Sequence, residues 1–300
     1  MRDFTTDRLQ LLLSSLKSAG YGFTTVAGYL HDLPSPAVIL RHDVDARPVN
    51  SLRCAEMENR LGISGTYYFR TVSKAWDEGV IREIHRLGHE IGYHYEDLAV
   101  AGGRFERAIE NFGRNLARLR HLTPVETICM HGSPLTKYDN RLLWEKYDYR
   151  DFGIKGEPYF DIDFNTVLYL TDTGRRWNGD RYSIRDRIMP IRQDGAGKTT
   201  PGKSVPAAGV DEIRSTAEVI PVETGTGRRK TNNGNNVGSN NSYIFRSTRD
   251  IIMTAISGDL PPVMMITLHP QRWDNRFVPW LQELVWQNIK NVAKRFLTTS

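Results

Sequence analysis

Two aspartates two residues apart, followed along the chain by histidines that each close an apolar run, carry most of the chemical potential of this sequence. In Arg41-His42-Asp43-Val44-Asp45, the i, i+2 spacing on extended backbone aims both carboxylates to the same side. Two like charges that close are costly unless a cation lies beside them. A metal ion resolves the conflict, with one carboxylate ligating and the other free to accept a proton. The competing reading is a polar strand end that caps the following helix.

Three more clusters share this position after an apolar run. In Gly88-His89-Glu90-Ile91-Gly92-Tyr93-His94-Tyr95-Glu96-Asp97, His89 and His94 are five apart, which fits neither a helical pair nor one face of a strand. His89 is therefore expected at the strand start, away from any site, and His94 and Glu96 at its exit. Imidazole and carboxylate both suit a zinc-like ion. Met130-His131-Gly132-Ser133-Pro134 aims a histidine into a loop whose backbone N–H groups suit an oxyanion; a hydrogen-bonded core histidine is the alternative. In Thr267-Leu268-His269-Pro270-Gln271-Arg272-Trp273, His269 suits a proton donor or relay, because imidazole titrates near neutral pH.

The elements that must position these groups follow from the apolar pattern. Short runs at 37–40, 65–69, 90–93, 127–130, 167–170 and 263–268 read as strands. Helical stretches lie between several of them, at 49–61, 78–87 and 105–119. Strands alternating with helices imply parallel βαβ units. The ionisable residues gather at the C-terminal ends of the strands, where parallel sheets and barrels build their sites. The first thirty residues read as a helix, with Leu9, Leu12, Leu13 and Leu16 at helical spacing.

Residues 193–242 interrupt the pattern, with eight glycines and neither leucine nor an aromatic residue. Such a stretch buries too little apolar area to offset its ordering entropy, and a low-complexity, disordered insertion is expected there. The rest forms a single domain within 1–300, of about the 250 residues common for a barrel. The insertion contains Gly197 to Ser204, which satisfies a P-loop pattern but lacks the leading strand and following helix that make one work.

Composition narrows the function classes. The chain has 300 residues, 39% of them hydrophobic, and no apolar run approaches the roughly 18 residues of a membrane span. Leu11, Leu12 and Leu13 belong to an amphipathic pattern rather than a secretory segment, so a cytoplasmic protein is expected. Two cysteines, Cys54 and Cys129, make no disulfide framework or metal-ligand spacing and read as buried thiols. The net charge of +5 is scattered rather than striped. This argues against a nucleic-acid surface and suits a small anionic substrate, such as a nucleotide sugar or a polyprenyl phosphate.

These pieces, in this order, resemble the polysaccharide deacetylase (NodB-homology) family, over roughly residues 37–135 and 260–273. Asp43 and Asp45 match its first motif, Gly65-Thr66-Tyr67-Tyr68-Phe69 its second strand, Gly88 to His94 its second motif, and Leu268-His269 its last. The resemblance implies an α/β fold, a distorted (β/α) barrel, and a metal-dependent hydrolase that removes N-acetyl groups from an amino sugar. The amino sugar is expected to be a precursor of a cell-surface polysaccharide. Asp43 would be the general base and His269 the general acid, with Asp45 and His94 metal ligands. Zinc is the expected metal. The family's second metal histidine has no counterpart, since position 98 is Leu98; the third ligand falls to His131 or Glu96. Its Arg-x-Pro motif is replaced by Met130 to Pro134, and Asp172 loosely matches a group that orients the catalytic residues. Arg70, Asp172, Arg176, Arg272 and Trp273 are the expected substrate contacts, guanidinium forks for anions and an indole face for a sugar ring. Two other functions fit the same residues: hydrolysis of a small cyclic or linear amide, and a degenerate barrel that binds a glycan or partner without turnover.

Overall fold

A computed structural model describes residues 2–133, 136–177 and 243–298. The expected insertion at 193–242 and the P-loop-like run inside it lie outside the described residues. Among the described residues there are seven strands: β1 (Gly22–Thr24), β2 (Ala37–Val44), β3 (Thr66–Phe69), β4 (Glu90–Tyr95), β5 (Ile128–Met130), β6 (Leu168–Thr171) and β7 (Val263–Leu268). All pair in parallel, in the order β5-β4-β3-β2-β7-β6. β1 pairs with the first three residues of β2, below the segment that pairs with β3. The curled sheet forms a half-barrel with β5 and β6 as its edges. The fold class is thus α/β, and the expected barrel is realised at this coarser level.

The helices are α1 (Thr6–Ser18), α2 (Val26–Asp32), α3 (Pro48–Arg60), α4 (Glu78–Arg86), α5 (Asp97–Val100), α6 (Phe105–Arg120), α7 (Leu143–Lys146), α8 (Pro158–Asp161), α9 (Thr248–Ser257) and α10 (Phe277–Thr298). The N-terminal segment is not one helix. α1 starts at Thr5, whose side chain accepts the N–H of Arg8, and buries Leu9, Leu12, Leu13 and Leu16. Each such leucine stabilises the fold by about 1.5–3 kcal/mol. Gly20 then takes a left-handed φ of 91°, which ends the helix and frees Gly22–Thr24 to pair as β1.

Apart from β1, the strands are largely buried on both faces, so their apolar residues come in runs, such as Ala37 to Leu40, rather than alternating. One face of β2, through Val38, Leu40 and Val44, packs into the main core with Leu9, Ile81, Phe112 and Ile251. The other, through Ile39, meets Tyr68, Cys129, Met265 and residues of the α2 and α8 regions. Gly92 belongs to this concave side: a Cβ there would lie 2.3 Å from the Tyr68 ring, so glycine is what lets that ring fill the half-barrel. No described helix is long and apolar enough to cross a membrane.

Candidate metal and proton-transfer site

Each strand from β2 to β7 delivers an ionisable side chain at or just past its C-terminal end: Asp45, Arg70, Glu96, His131, Asp172 and His269. Strand alternation adds two from inside the sheet. Asp43 follows Ile39 and Arg41 on the concave face of β2, and His94 follows Gly92 on that of β4.

Asp45 is the meeting point. Its Oδ1 lies 3.3 Å from Nε2 of His131 and 3.8 Å from Nε2 of His94. Its Oδ2 lies 4.0 Å from Nε2 of His269. Oδ1 is buried and has no hydrogen-bond partner. Burial opposes the charge on Asp45, yet His131, His269, His94 and Arg70 together hold its pKa far below the usual carboxylate range.

The remote nitrogens of the three imidazoles are engaged. His94 Nδ1 lies 2.9 Å from the carbonyl oxygen of Cys129, and a carbonyl only accepts, so Nδ1 carries the proton and Nε2 a lone pair. His131 Nδ1 lies 3.1 Å from Glu96 Oε2 and 3.0 Å from Ser133 Oγ. His269 Nδ1 lies 2.6 Å from Asp172 Oδ1. Partners of this kind are what orient histidine ligands and raise their basicity. Burial, with His131 and Arg41 adding to it, pushes the pKa of His94 down to about 4 against the pull of Asp43 and Asp45. Its imidazole is neutral at physiological pH.

Glu96 sits one layer behind. Arg70 donates to it from Nε at 2.9 Å and from Nη2 at 2.6 and 2.7 Å, and His131 takes the remaining side. Despite burial, His131 and Arg70 bring its pKa down to about 2. Arg70, expected to contact substrate, is committed to this carboxylate, with Nη1 4.0 Å from Asp45 Oδ1.

Asp43 is held by a residue that the sequence analysis passed over. Arg41 donates to both of its oxygens, from Nε at 2.8 Å and Nη2 at 2.7 Å, and stacks against the rings of Tyr68 and Tyr159. Arg41 is fully buried. Burial raises the pKa of Asp43, but Arg41, His94 and His269 lower it on balance. The i−2 position of Arg41 on the same strand face was the available signal. His42, between them, points the other way and pairs with Glu58 at 2.8 Å. His89 belongs to that same buried group, 3.8 Å from Glu58, and is away from the site as expected.

Three expected substrate contacts have other duties. Asp172 is fully buried and accepts the His269 backbone N–H at 2.9 Å, Arg272 Nη1 at 2.7 Å and Trp273 Nε1 at 2.7 Å. Trp273 therefore corrects the expectation of an indole face for sugar: it is 2% exposed, packed against Phe4 and Trp177. Arg272 likewise turns its Nη1 inward to Asp172. Arg176 is exposed at the end of the turn after β6, while its neighbour Arg175 is the buried one.

Asp43, His94 and Cys129 each bring a ligand atom within 4.8 Å of the others, and this buried group could hold a metal ion. No protein-family model, no curated protein and no solved structure matches the chain, so its chemistry has to be read from these side chains and their geometry.

Proposed function

We propose that the chain is a metal-dependent amide hydrolase that removes N-acetyl groups from an amino sugar, on a fold of the polysaccharide deacetylase type. The observation that carries this reading is the orphaned Asp45 Oδ1, buried without a donor and flanked by the Nε2 lone pairs of His94 and His131. A buried carboxylate oxygen without a donor is costly unless a cation completes it. Asp45, His94 and His131 offer one carboxylate and two imidazoles, the ligand types of catalytic zinc sites, which keep one position open.

This set is preferred over Asp43, His94 and Cys129. Each Asp43 oxygen accepts one hydrogen bond from Arg41 and keeps a lone pair for a proton, whereas Asp45 Oδ1 has no donor. Glu96 serves the metal set from behind, as the acceptor for His131 Nδ1. A divalent metal bound there acts as a Lewis acid toward a carbonyl and lowers the pKa of water.

The remaining roles belong to the chain. Asp43, kept ionised by Arg41, accepts the proton of the attacking water. His269, with Nδ1–H on Asp172 and Nε2 toward Asp45, carries a proton to the departing amine nitrogen. Asp172 fixes its tautomer and the direction of its ring, as a carboxylate behind a catalytic imidazole does. Arg272 and Trp273 hold Asp172 in turn.

Elemental mass spectrometry of the purified protein, beside Asp45→Ala and His94→Ala, tests the metal set. Near-stoichiometric zinc or another divalent transition metal, lost in both variants, is expected. A wild-type chain that binds no metal after reconstitution sinks the mechanism and favours a binding protein. Acetate release from N-acetylated amino sugars, measured against ring opening of cyclic ureides and imides, decides the substrate.

A further inference from the structure

The C-terminal helix α10 is amphipathic, and the structure buries its polar side. Glu283, Gln287 and Asn291, at intervals of four, are buried. Gln287 Nε2 donates to Glu283 Oε1 at 2.7 Å, and Asn291 Nδ2 donates to Gly174 O at 3.1 Å. Arg175 Nη1 donates to Trp280 O at 3.0 Å, and Trp280 Nε1 to Asp3 O at 2.7 Å. Gly174 permits the close approach, since a Cβ there would lie 2.9 Å from Asn291 Oδ1. The helix is thus pinned to the turn after β6 and to the N-terminal segment, and these contacts fix which side of it faces outward.

The outward side is apolar. Phe277, Val278, Val285, Trp286 and Ile289 are each 50–60% exposed, and Leu281 39%. A surface helix ordinarily turns such a stripe to the core. At 3.6 residues per turn, Val278, Leu281 and Ile289 all point within about 40° of Val285. Six side chains of this size and exposure leave on the order of 600 Å² of apolar surface, the upper end of what a monomer shows and close to the roughly 800 Å² per partner of a standard interface. From Phe277 to Ile289 the one charged residue is Glu283, which is buried. A charged partner surface would find nothing to pair with there.

The stripe is also nearly symmetric about Val285. Three places to either side stand Gln282 and Asn288, and four places to either side stand Leu281 and Ile289; all four are exposed. In an isologous pair of antiparallel helices with the twofold axis at Val285, a residue after the axis faces the one equally far before it. Leu281 then meets Ile289, Gln282 meets Asn288, and Val285 meets its own copy. Asn288 Nδ2 already donates to Leu284 O at 2.9 Å, so its Oδ1 accepts from the Gln282 amide of the second copy. Trp286, one place from the axis, is the kind of large aromatic anchor that interface centres favour. Because the stripe is uncharged, the symmetry brings no like charges together.

We propose that the outward face of α10 is a self-association surface, on which a second copy of this chain packs its own α10 antiparallel about Val285. The inference stands apart from the reading of the Asp45 cluster and holds whatever that cluster does.

Sedimentation equilibrium of the full chain tests it. The expected mass at micromolar concentration is twice the 34.3 kDa of one chain, with reversible dissociation on dilution. Val285→Lys sets two like charges against each other on the axis and should raise the dissociation constant about a hundredfold or more. Val100→Lys, at a 65% exposed position on α5, should leave it within about twofold. Thermal melting checks that both variants fold. Cross-linking with a short bismaleimide reads the register, because Cys54 and Cys129 are buried and the introduced thiol reacts. Val285→Cys should link to its own copy. Leu281→Cys should link to Ile289→Cys when the two are mixed but not to itself, since its two copies stand about 12 Å apart along the helices. A monomeric wild type overturns the proposal, including one whose α10 face is protected from solvent labelling by another stretch of the same chain. A dimer unmoved by Val285→Lys, or Leu281→Cys linking to itself as readily as to Ile289→Cys, overturns it as well.

Discussion

Asp172 grips His269 at two atoms: Oδ1 lies 2.6 Å from the imidazole Nδ1, and Oδ2 accepts the backbone N–H of the same residue at 2.9 Å. A carboxylate that binds both ring and backbone fixes the tautomer and the direction of Nε2 together. Asp172→Asn keeps the shape but presents an amide N–H or a weaker acceptor to Nδ1. The expected outcome is a fall in kcat of about 10²–10⁴ with KM little changed. Steady-state kinetics on the amide substrate checks it; an unchanged kcat removes His269 from the proton path.

Arg41 neutralises Asp43 inside the half-barrel. Arg41→Met leaves a buried carboxylate without its partner, which destabilises by about 3–5 kcal/mol. It also lets burial dominate, so the pKa of Asp43 rises. If Asp43 is the base, the acid limb of the kcat/KM profile moves to higher pH. Urea unfolding and a pH–rate profile check the two effects; a stable variant with an unmoved acid limb separates Asp43 from catalysis.

Glu96 stands behind the metal set, against His131 Nδ1 and Arg70. Glu96→Gln is expected to weaken metal affinity about 10–100-fold without abolishing it, whereas Asp45→Ala abolishes stoichiometric binding. A competitive chelator titration distinguishes them. Equal and complete loss in both variants would make Glu96 a direct ligand.

Asp97 gives a pH signature in stability. Burial, with the charge of Glu96 adding to it, raises its pKa to about 6 from the ordinary 3.8, against the hydrogen bonds from Tyr93 and Asn115. The folded state therefore binds the proton more tightly than the unfolded one. Its contribution is complete below about pH 3.8 and is lost as pH rises through 6. Wild type minus Asp97→Asn stability should fall across that window and be flat above it. A difference that rises with pH there contradicts the sign.

The positions of the site groups were legible in the sequence because strands end abruptly. Apolar runs that stop at Asp45, Glu96, His131 and His269 announce both a parallel sheet and the end of it that holds chemistry. The segment 263–268 was read with its observed bounds because six consecutive apolar or β-branched residues admit few alternatives. The first thirty residues misled, since leucine periodicity says where a helix is and little about where Gly20 stops it.

What the sequence by itself determined is which residue types stand at the strand ends, and hence that a carboxylate–imidazole cluster forms. Which of them face each other was decided only by tertiary structure. Trp273 and Arg272 look like surface recognition residues in the chain. They are interior ones because Asp172, a hundred residues earlier, needs their N–H groups to be buried at all. Arg41 and His42 are neighbours in sequence, yet strand alternation sends one to Asp43 and the other to Glu58 on opposite faces of the sheet. The polar stripe of α10 reads as a solvent face from its pattern alone. It is buried because the helix packs on the turns after β6 and β7, and a helix sequence does not encode which of its sides the rest of the chain will cover.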